Sequence, residues 1–205
     1  MLRTDRVNIL MLHDVEFVDL AQPFGEGYHE LRKIRDEGKC RYVGMSRYPL
    51  KLVRRALNEL ELDVVLTYAM GCLLDNSIHD ELLPIAKLRG VGLINAAAVA
   101  LGLLTPGPTT IGIEHPATLP MREAVGRMRD LCAERSVDIG RVANQYAIQR
   151  SGCVTTLVGT TTSSHLRAAV EAVSAPIDRG LVAELSVLRP EPGQRQWVSG
   201  LPEYN

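Results

Sequence analysis

Apolar residues fall into five short runs along the chain: Val7–Leu12, Arg41–Met45, Val64–Leu66, Val91–Ile94 and Thr155–Val158. Each has the length of a strand, and most lack an alternation of apolar and polar residues. That pattern predicts strands covered on both faces, as in a parallel sheet. The longer segments between them follow a helical period. Phe24, Tyr28, Leu31 and Ile34 recur every three or four residues and give one apolar stripe, with Gly38 placed to end the helix. Pro49 opens a second helix carrying Leu50, Val53, Leu57 and Leu60. A third follows Ser77, has Asp80 and Glu81 in its first turn and stops at Gly90. Two helices, near Pro120–Arg135 and Gly140–Gln149, precede the fifth run, and two more, near Ser163–Val173 and Asp178–Leu188, follow it. From Pro190 to Asn205 the chain has no period and is expected to be irregular.

Strand–helix alternation with right-handed crossovers gives an α/β fold with a mostly parallel sheet. Periodicity alone leaves two architectures open: an open doubly wound sheet, or part of a (β/α)8 barrel, which takes about 250 residues and eight strands. Both place function at the carboxyl ends of the strands. That rule collects His13 and Asp14, then Ser46, Arg47 and Tyr48, then Thr67 and Tyr68, then Asn95 to Leu101, and finally Gly159 to Ser164.

Composition narrows the function classes. The 205 residues are 46% hydrophobic and 23% charged, with 23 Lys+Arg against 24 Asp+Glu and a net charge of −1. One sizeable core is expected, and no basic field for nucleic acid. The longest apolar stretch, Val91 to Leu104, contains Asn95 and falls short of the roughly 18 residues of a membrane span. The charged first residues do not read as a signal peptide, so a cytoplasmic protein is expected. Cys40, Cys72, Cys132 and Cys153 lie far apart without a Cys-x-x-Cys pair, which points to ordinary thiols. His29, His79, His115 and His165 lack metal-ligand spacing and are expected at the surface; no metal site is expected.

Several segments together resemble the aldo/keto reductase family, and within it the L-galactose dehydrogenase-like branch. Val7-Asn-Ile-Leu-Met-Leu-His-Asp-Val-Glu-Phe17 is similar to the family strand that ends in a catalytic histidine. Leu31 to Ser46, with Gly-Lys-Cys-Arg-Tyr-Val-Gly-Met-Ser, is similar to the segment that precedes the family's next strand end. Asp80-Glu-Leu-Leu-Pro-Ile-Ala, Gly90-Val-Gly-Leu-Ile-Asn, Leu101-Gly-Leu-Leu-Thr, Val158-Gly159 and the tail Arg195-Gln-Trp-Val-Ser-Gly-Leu-Pro follow in the family's order.

The resemblance implies the carboxy-terminal portion of a (β/α)8 barrel, about five βα units over residues 1–189, with an irregular tail over 190–205. It implies hydride transfer between NADP or NAD and a small carbonyl or sugar substrate. The family's proton donor is a tyrosine assisted by a lysine, an aspartate and a histidine; a phenol near pKa 10 needs a neighbouring cation to exchange protons at neutral pH. Only the histidine has a counterpart here, His13, because Met1 falls just before the family's fourth strand.

The cofactor half matches residue by residue in part. Ser46 matches the serine that contacts the carboxamide, and Arg47 stands where an asparagine is common. Thr67 follows the position of a family glutamine that is Leu66 here. Asn95 through Leu101 corresponds to the loop over the pyrophosphate, with Ala97 and Ala98 in place of polar and proline residues. Gly159, Thr160, Thr161 and Thr162 lead into a helix whose first amides suit an anion; read from the residues alone, Thr162 or Ser163 equally serves as a cap. Arg167 is placed to neutralise a phosphate, and the adenine-reading Glu-Asn pair falls on Ala168 and Ala169.

Asp14 and Glu16 read either as polar substrate contacts or as solvated loop residues. Trp197 reads either as a cover over substrate or as a pin for the tail. Five strands leave two sheet edges open, which implies self-association or a completing partner. The expected chain is then a fragment or a truncated reductase. The alternative is a complete protein acting as a non-redox lyase or isomerase through His13, or as a binding pseudoenzyme.

Overall fold

In the computed structural model, which describes residues 3–107 and 115–205, five strands lie in one sheet in the order β1-β2-β3-β4-β5. They are β1 Val7–His13, β2 Cys40–Ser46, β3 Val64–Tyr68, β4 Gly92–Ala96 and β5 Thr155–Thr156. Each expected run nucleates a strand, and neighbours in sequence are neighbours in the sheet, as right-handed βαβ crossovers produce. The helices are α1 Gly27–Asp36, α2 Leu50–Glu59, α3 Leu83–Arg89, α4 Leu119–Glu134, α5 Ile139–Arg150, α6 Ser163–Glu171 and α7 Arg179–Val187. Single π-helical turns, Gln22–Glu26 and Ile78–Leu82, lead into α1 and α3. Gly38 follows the last turn of α1, and Gly90 caps α3, both left-handed at φ +75° and +69°. There the absence of a Cβ removes the steric penalty.

The chain divides into two units. The first comprises Met1–Thr67, Leu82–Ile94 and Val198–Asn205, the second Tyr68–Glu81 and Asn95–Trp197. In the first, β1 and β2 run parallel from Val7 opposite Cys40 to His13 opposite Ser46, and β2 continues to β3 with Ser46 opposite Leu66. Val43, Met45, Val53, Ala56, Leu57 and Val65 are fully buried between sheet and helices. Leu31 of α1 packs on Cys40 and Val43, with Val7, Leu10, Leu12 and Ile34 around them.

The expectation of strands covered on both faces is corrected at β1. Asn8, Ile9 and His13 are exposed, whereas Val43 to Ser46 of β2 are all buried. A strand's burial depends in part on having neighbours on both sides, and among the described residues β1 stands at the end of the sheet, beside β2. β5 is also shorter than its apolar run; beyond it Leu157 still donates to Asn95 O at 2.8 Å.

The second unit is built on Met70, Leu73, Leu74, Ile78, Leu104, Met128, Ala143, Ala147 and Leu185, all fully buried. Its portion of the tail is tied in by side chains: Arg189 Nε donates to Leu73 O at 2.7 Å, Arg195 Nη1 to Asn76 Oδ1 at 2.9 Å and Gln196 Nε2 to Asp75 Oδ2 at 3.1 Å. Short turns at Pro192–Gln194 and Pro202–Tyr204 are the tail's regular structure.

Candidate functional site

In the first unit, parallel register carries three strand ends to one place. His13 lies opposite Ser46, and its Nδ1 is 3.0 Å from Ser46 Oγ. Its Nε2 is 3.5 Å from Asp14 Oδ1, and 70% of the imidazole side chain is exposed. A carboxylate beside Nε2 favours the tautomer protonated there, with the Ser46 hydroxyl donating to Nδ1. His13 then keeps its exposed Nε2 edge beside Asp14, on a ring steadied by a buried serine. Backbone bonds fix the frame: Asp14 N donates to Ser46 O at 3.0 Å and Arg47 N to Leu66 O at 3.1 Å. Thr67, the next residue of β3, is buried.

Arg47 is also in this cluster, but its side chain turns inward. It is fully buried, Nη1 donates to Leu52 O at 2.9 Å, and the guanidinium carbon lies 5.4 Å from the Phe24 ring centre. Its Nε and Nη2 have no hydrogen-bond partner, nor has Glu16 Oε2. Burial pulls the Arg47 pKa down to about 9, opposed by the neighbouring Glu16 charge, so the group stays cationic at neutral pH. Burial likewise raises Glu16 above the usual carboxylate range, while hydrogen bonds from its own amide and that of Tyr48 pull the other way.

Both readings of Glu16 from the sequence are thereby corrected: it is neither solvated nor available to a substrate. Nothing local in Asp-Val-Glu-Phe marks a buried carboxylate, because its partners beyond its own amide, Tyr48 N and the Arg47 charge, lie far along the chain. His115 is corrected in the same way. It is buried in the second unit, with Nε2 2.8 Å from Ala100 O and Nδ1 accepting from Ala117 N at 3.0 Å. Trp197 is buried against His115, ring centres 5.6 Å apart, and near Tyr68 at 6.5 Å, which supports its reading as a pin for the tail.

In the second unit the β4 loop is conformationally unusual. Ala97, Ala100 and Leu101 take positive φ values of 53°, 46° and 54°, and Gly102 follows at 89°. Left-handed non-glycine residues cost roughly 1–2 kcal/mol each and persist where surroundings hold them. Here His115 holds Ala100 O, and Arg129 Nη2 holds Leu103 O at 2.8 Å. The amides of Ala100, Gly102, Leu103 and Leu104 already donate within the loop, which reduces what it offers a phosphate. Asn95, fully buried at the end of β4, donates to Gly71 O at 2.9 Å and leaves its Oδ1 unbonded.

The β5–α6 turn is open. Gly159, Thr160, Thr161, Thr162 and Arg167 are all exposed. Thr162 occupies the cap position of α6 without a side-chain cap bond, and its own amide donates to Thr160 Oγ1 at 3.1 Å. The amides of a first helical turn have no partner within the helix, so this terminus offers donors and a partial positive charge. Ala168 is half-buried and Ala169 buried, small residues against the body of the unit.

The four cysteines are free thiols. Burial pushes Cys72 up to about 12 and Cys153 up to about 11, far from a reactive thiolate. Among the described residues no three His, Cys, Asp or Glu side chains converge as a metal set, and no helix is long and apolar enough to cross a membrane.

Residues 1–188 match the family model described as "Aldo/keto reductase family". The chain belongs to the aldo/keto reductase family. It is similar to L-galactose dehydrogenase of Arabidopsis thaliana, 32% identical over 208 residues, covering 98% of this chain and 64% of that protein. It is similar to D-threo-aldose 1-dehydrogenase of a Pseudomonas species, 27% identical over 188 residues, covering 90% of this chain and 57% of that protein. A solved aldo-keto reductase from Bacillus halodurans in its holo form superimposes with a TM-score of 0.72 at 22% identity, over 95% of this chain and 64% of that one. That likeness gives the architecture: an α/β fold corresponding to part of the (β/α)8 barrel. This aldo/keto reductase chain therefore spans less than two thirds of the length of these relatives.

Proposed function

We propose that this chain is the His13-bearing, cofactor-side portion of an NAD(P)-dependent oxidoreductase acting on a sugar-like or small carbonyl or alcohol substrate. The observation that carries the reading is the junction of three strand ends at His13, Ser46 and Thr67. There, register brings a solvent-facing imidazole against a buried hydroxyl within an aldo/keto reductase framework.

The residues fit a nicotinamide cofactor in part. The α6 N-terminus, with its exposed hydroxyls and Arg167, has the donor chemistry for a phosphate. Ser46 Oγ and the unbonded Asn95 Oδ1 are each suited to an amide or hydroxyl group, and Leu101 supplies apolar surface from the β4 loop. Arg47 is the weakest of the proposed contacts, because its guanidinium is fully buried against Leu52 O and the Phe24 ring. When bound, the nicotinamide supplies the hydride-transfer chemistry. The chain's own contribution is at His13: Nε2–H is placed to orient a substrate oxygen, and the Ser46 bond to Nδ1 limits ring rotation. On this reading the family's tyrosine, lysine and aspartate are assigned to no residue of this chain, whose own part is substrate orientation at His13 and the cofactor side. NADP or NAD, a substrate of sugar type, and completion of the sheet edges by another segment or copy all belong to this proposal, as does a cytoplasmic location.

One observation favours a second reading, a binding pseudoenzyme. Alanine at 168 and 169 and the inward Arg47 remove family contacts that read the adenine and nicotinamide ends.

Titration of the purified chain with NADPH and with NADH, followed by cofactor fluorescence and by size-exclusion chromatography of the same sample, tests the proposal. Saturable binding that weakens on Ser46→Ala supports the oxidoreductase reading. Absence of binding by a folded species removes it.

A further inference from the structure

The turn after His13 is tied to Ser46 O by its own Asp14 amide, and beyond that it is fastened in two further directions through Glu16. Asp14 adopts a left-handed conformation, φ 52° and ψ 43°, so the backbone bends sharply as it leaves the histidine. Val15–Phe17 then form one 3-10 turn that buries Val15 and Glu16 completely or nearly so. Glu16 Oε1 accepts from Tyr48 N at 3.0 Å, two residues past the serine that holds His13. Its carbonyl accepts from Leu201 N at 2.8 Å. Gly200, φ +75°, sits so close that a Cβ there would overlap the Glu16 carbonyl.

Further tail contacts extend the strap: Leu20 N donates to Tyr204 Oη at 3.3 Å and Lys51 Nζ to Glu203 O at 3.1 Å. All these residues belong to the first unit. Removing a carboxylate from water costs several kcal/mol unless charge and hydrogen bonds offset it. A solvated residue at this position would avoid that cost. What Glu16 provides in return is geometry: it joins the bend after His13 to the end of β2 and to the last residues of the chain, with Arg47 as its opposite charge.

We propose that Glu16 is a positioning residue that holds the His13 ring against Ser46 by locking the turn after His13 to Tyr48 and to the Gly200–Leu201 tail. Its consequence for turnover rests on the assignment of His13 to substrate handling, but the positioning itself does not, and the test reads the ring directly.

The full 205-residue chain, labelled with 15N in its histidines, reports the hydrogen-bonded state of His13 Nδ1 through its imidazole shifts. His13→Gln identifies the signals, and Ser46→Ala marks their position once the serine bond is lost. Glu16→Ala is expected to move the His13 signals to the Ser46→Ala position. Glu16→Gln keeps an acceptor for Tyr48 N and is expected to leave them where they are. A purely structural role would lower the melting temperature of Glu16→Ala and move the His13 signals in neither variant; that result overturns the proposal. Should Glu16→Ala not fold, Gly200→Ala decides. It displaces the tail from the Glu16 carbonyl while keeping the carboxylate, and unchanged His13 signals there overturn the proposal equally. Failure to bind NADPH or NADH would defeat the functional reading and leave this result untouched.

Discussion

The β1–β2–β3 strand ends and the β5–α6 turn both carry residues of the proposed site, yet they are built on opposite principles. At the first, Ser46, Arg47, Thr67 and Glu16 are buried, and backbone and side-chain bonds cross between three strands and the tail. At the second, every residue from Gly159 to Arg167 is exposed, and the bonds are local, from Thr162 N to Thr160 Oγ1 and from Leu166 N to Thr162 O. A buried cluster is pre-organised: its geometry is set by folding, and disturbing it disturbs the fold. An open helix terminus has donors without fixed partners, so its residues can change with little effect on stability and a direct effect on binding. Stability and affinity should therefore separate between the two regions.

The sharpest separation is expected between two arginines. Arg47→Ala removes a fully buried guanidinium bonded to Leu52 O and takes away the charge that attracts the buried Glu16, and is expected to cost about 3–5 kcal/mol in urea unfolding. Arg167→Ala, on an exposed helix face, should leave the unfolding curve unchanged. Equal effects would dissolve the distinction. Next, replacing Thr160, Thr161 and Thr162 together by alanine should weaken NADPH binding about tenfold, the effect of one good hydrogen bond to a charged group, without shifting the melting temperature. A large loss of stability would mean these threonines cap rather than bind.

A smaller, graded effect follows from the buried carboxylates. Burial raises Glu16 and Asp75 from ordinary values of 4.5 and 3.8. Each folded-state carboxyl holds its proton more tightly than the unfolded one, so its stabilisation is complete below the ordinary value and is lost as pH rises through the raised one. The chain should therefore lose stability across that interval relative to Glu16→Gln, and Asp75→Asn should show the same sign. Melting curves in steps of pH check this, and a difference that grows as pH falls would contradict it. The smallest effect is expected on the outer face of α6. Leu166 and Val170 are 52% and 65% exposed, whereas the alanines at 169 and 172 face inward. Val170→Ser should change stability by less than about 0.5 kcal/mol.

Much of this arrangement is legible in the chain itself. The five apolar runs, the glycines after α1 and α3, and the proline before α2 mark elements whose causes are local: side-chain period, a left-handed stop, a fixed φ. Strand ends follow from strands, so His13, Ser46, Thr67 and Gly159 could be gathered before any coordinates. Glu16, His115 and the inward turn of Arg47 could not. Each depends on partners brought near only by folding: Tyr48 and Leu201 for Glu16, Ala100 and Trp197 for His115, Phe24 for Arg47. A charged side chain in a loop carries no local mark of whether water or protein will surround it.

The sequence by itself determined the order and type of the elements, the parallel α/β class and the family, because periodicity and ordered motifs are properties of neighbours along the chain. Only the tertiary structure decided which polar groups those elements enclose. It set Ser46 against His13, turned the Glu16 carboxylate inward from the bend that follows, left β1 half-covered and the β5–α6 turn in solvent. Burial is a property of position in space, and the free energy of a charge or a hydroxyl depends far more on that position than on its neighbours in sequence.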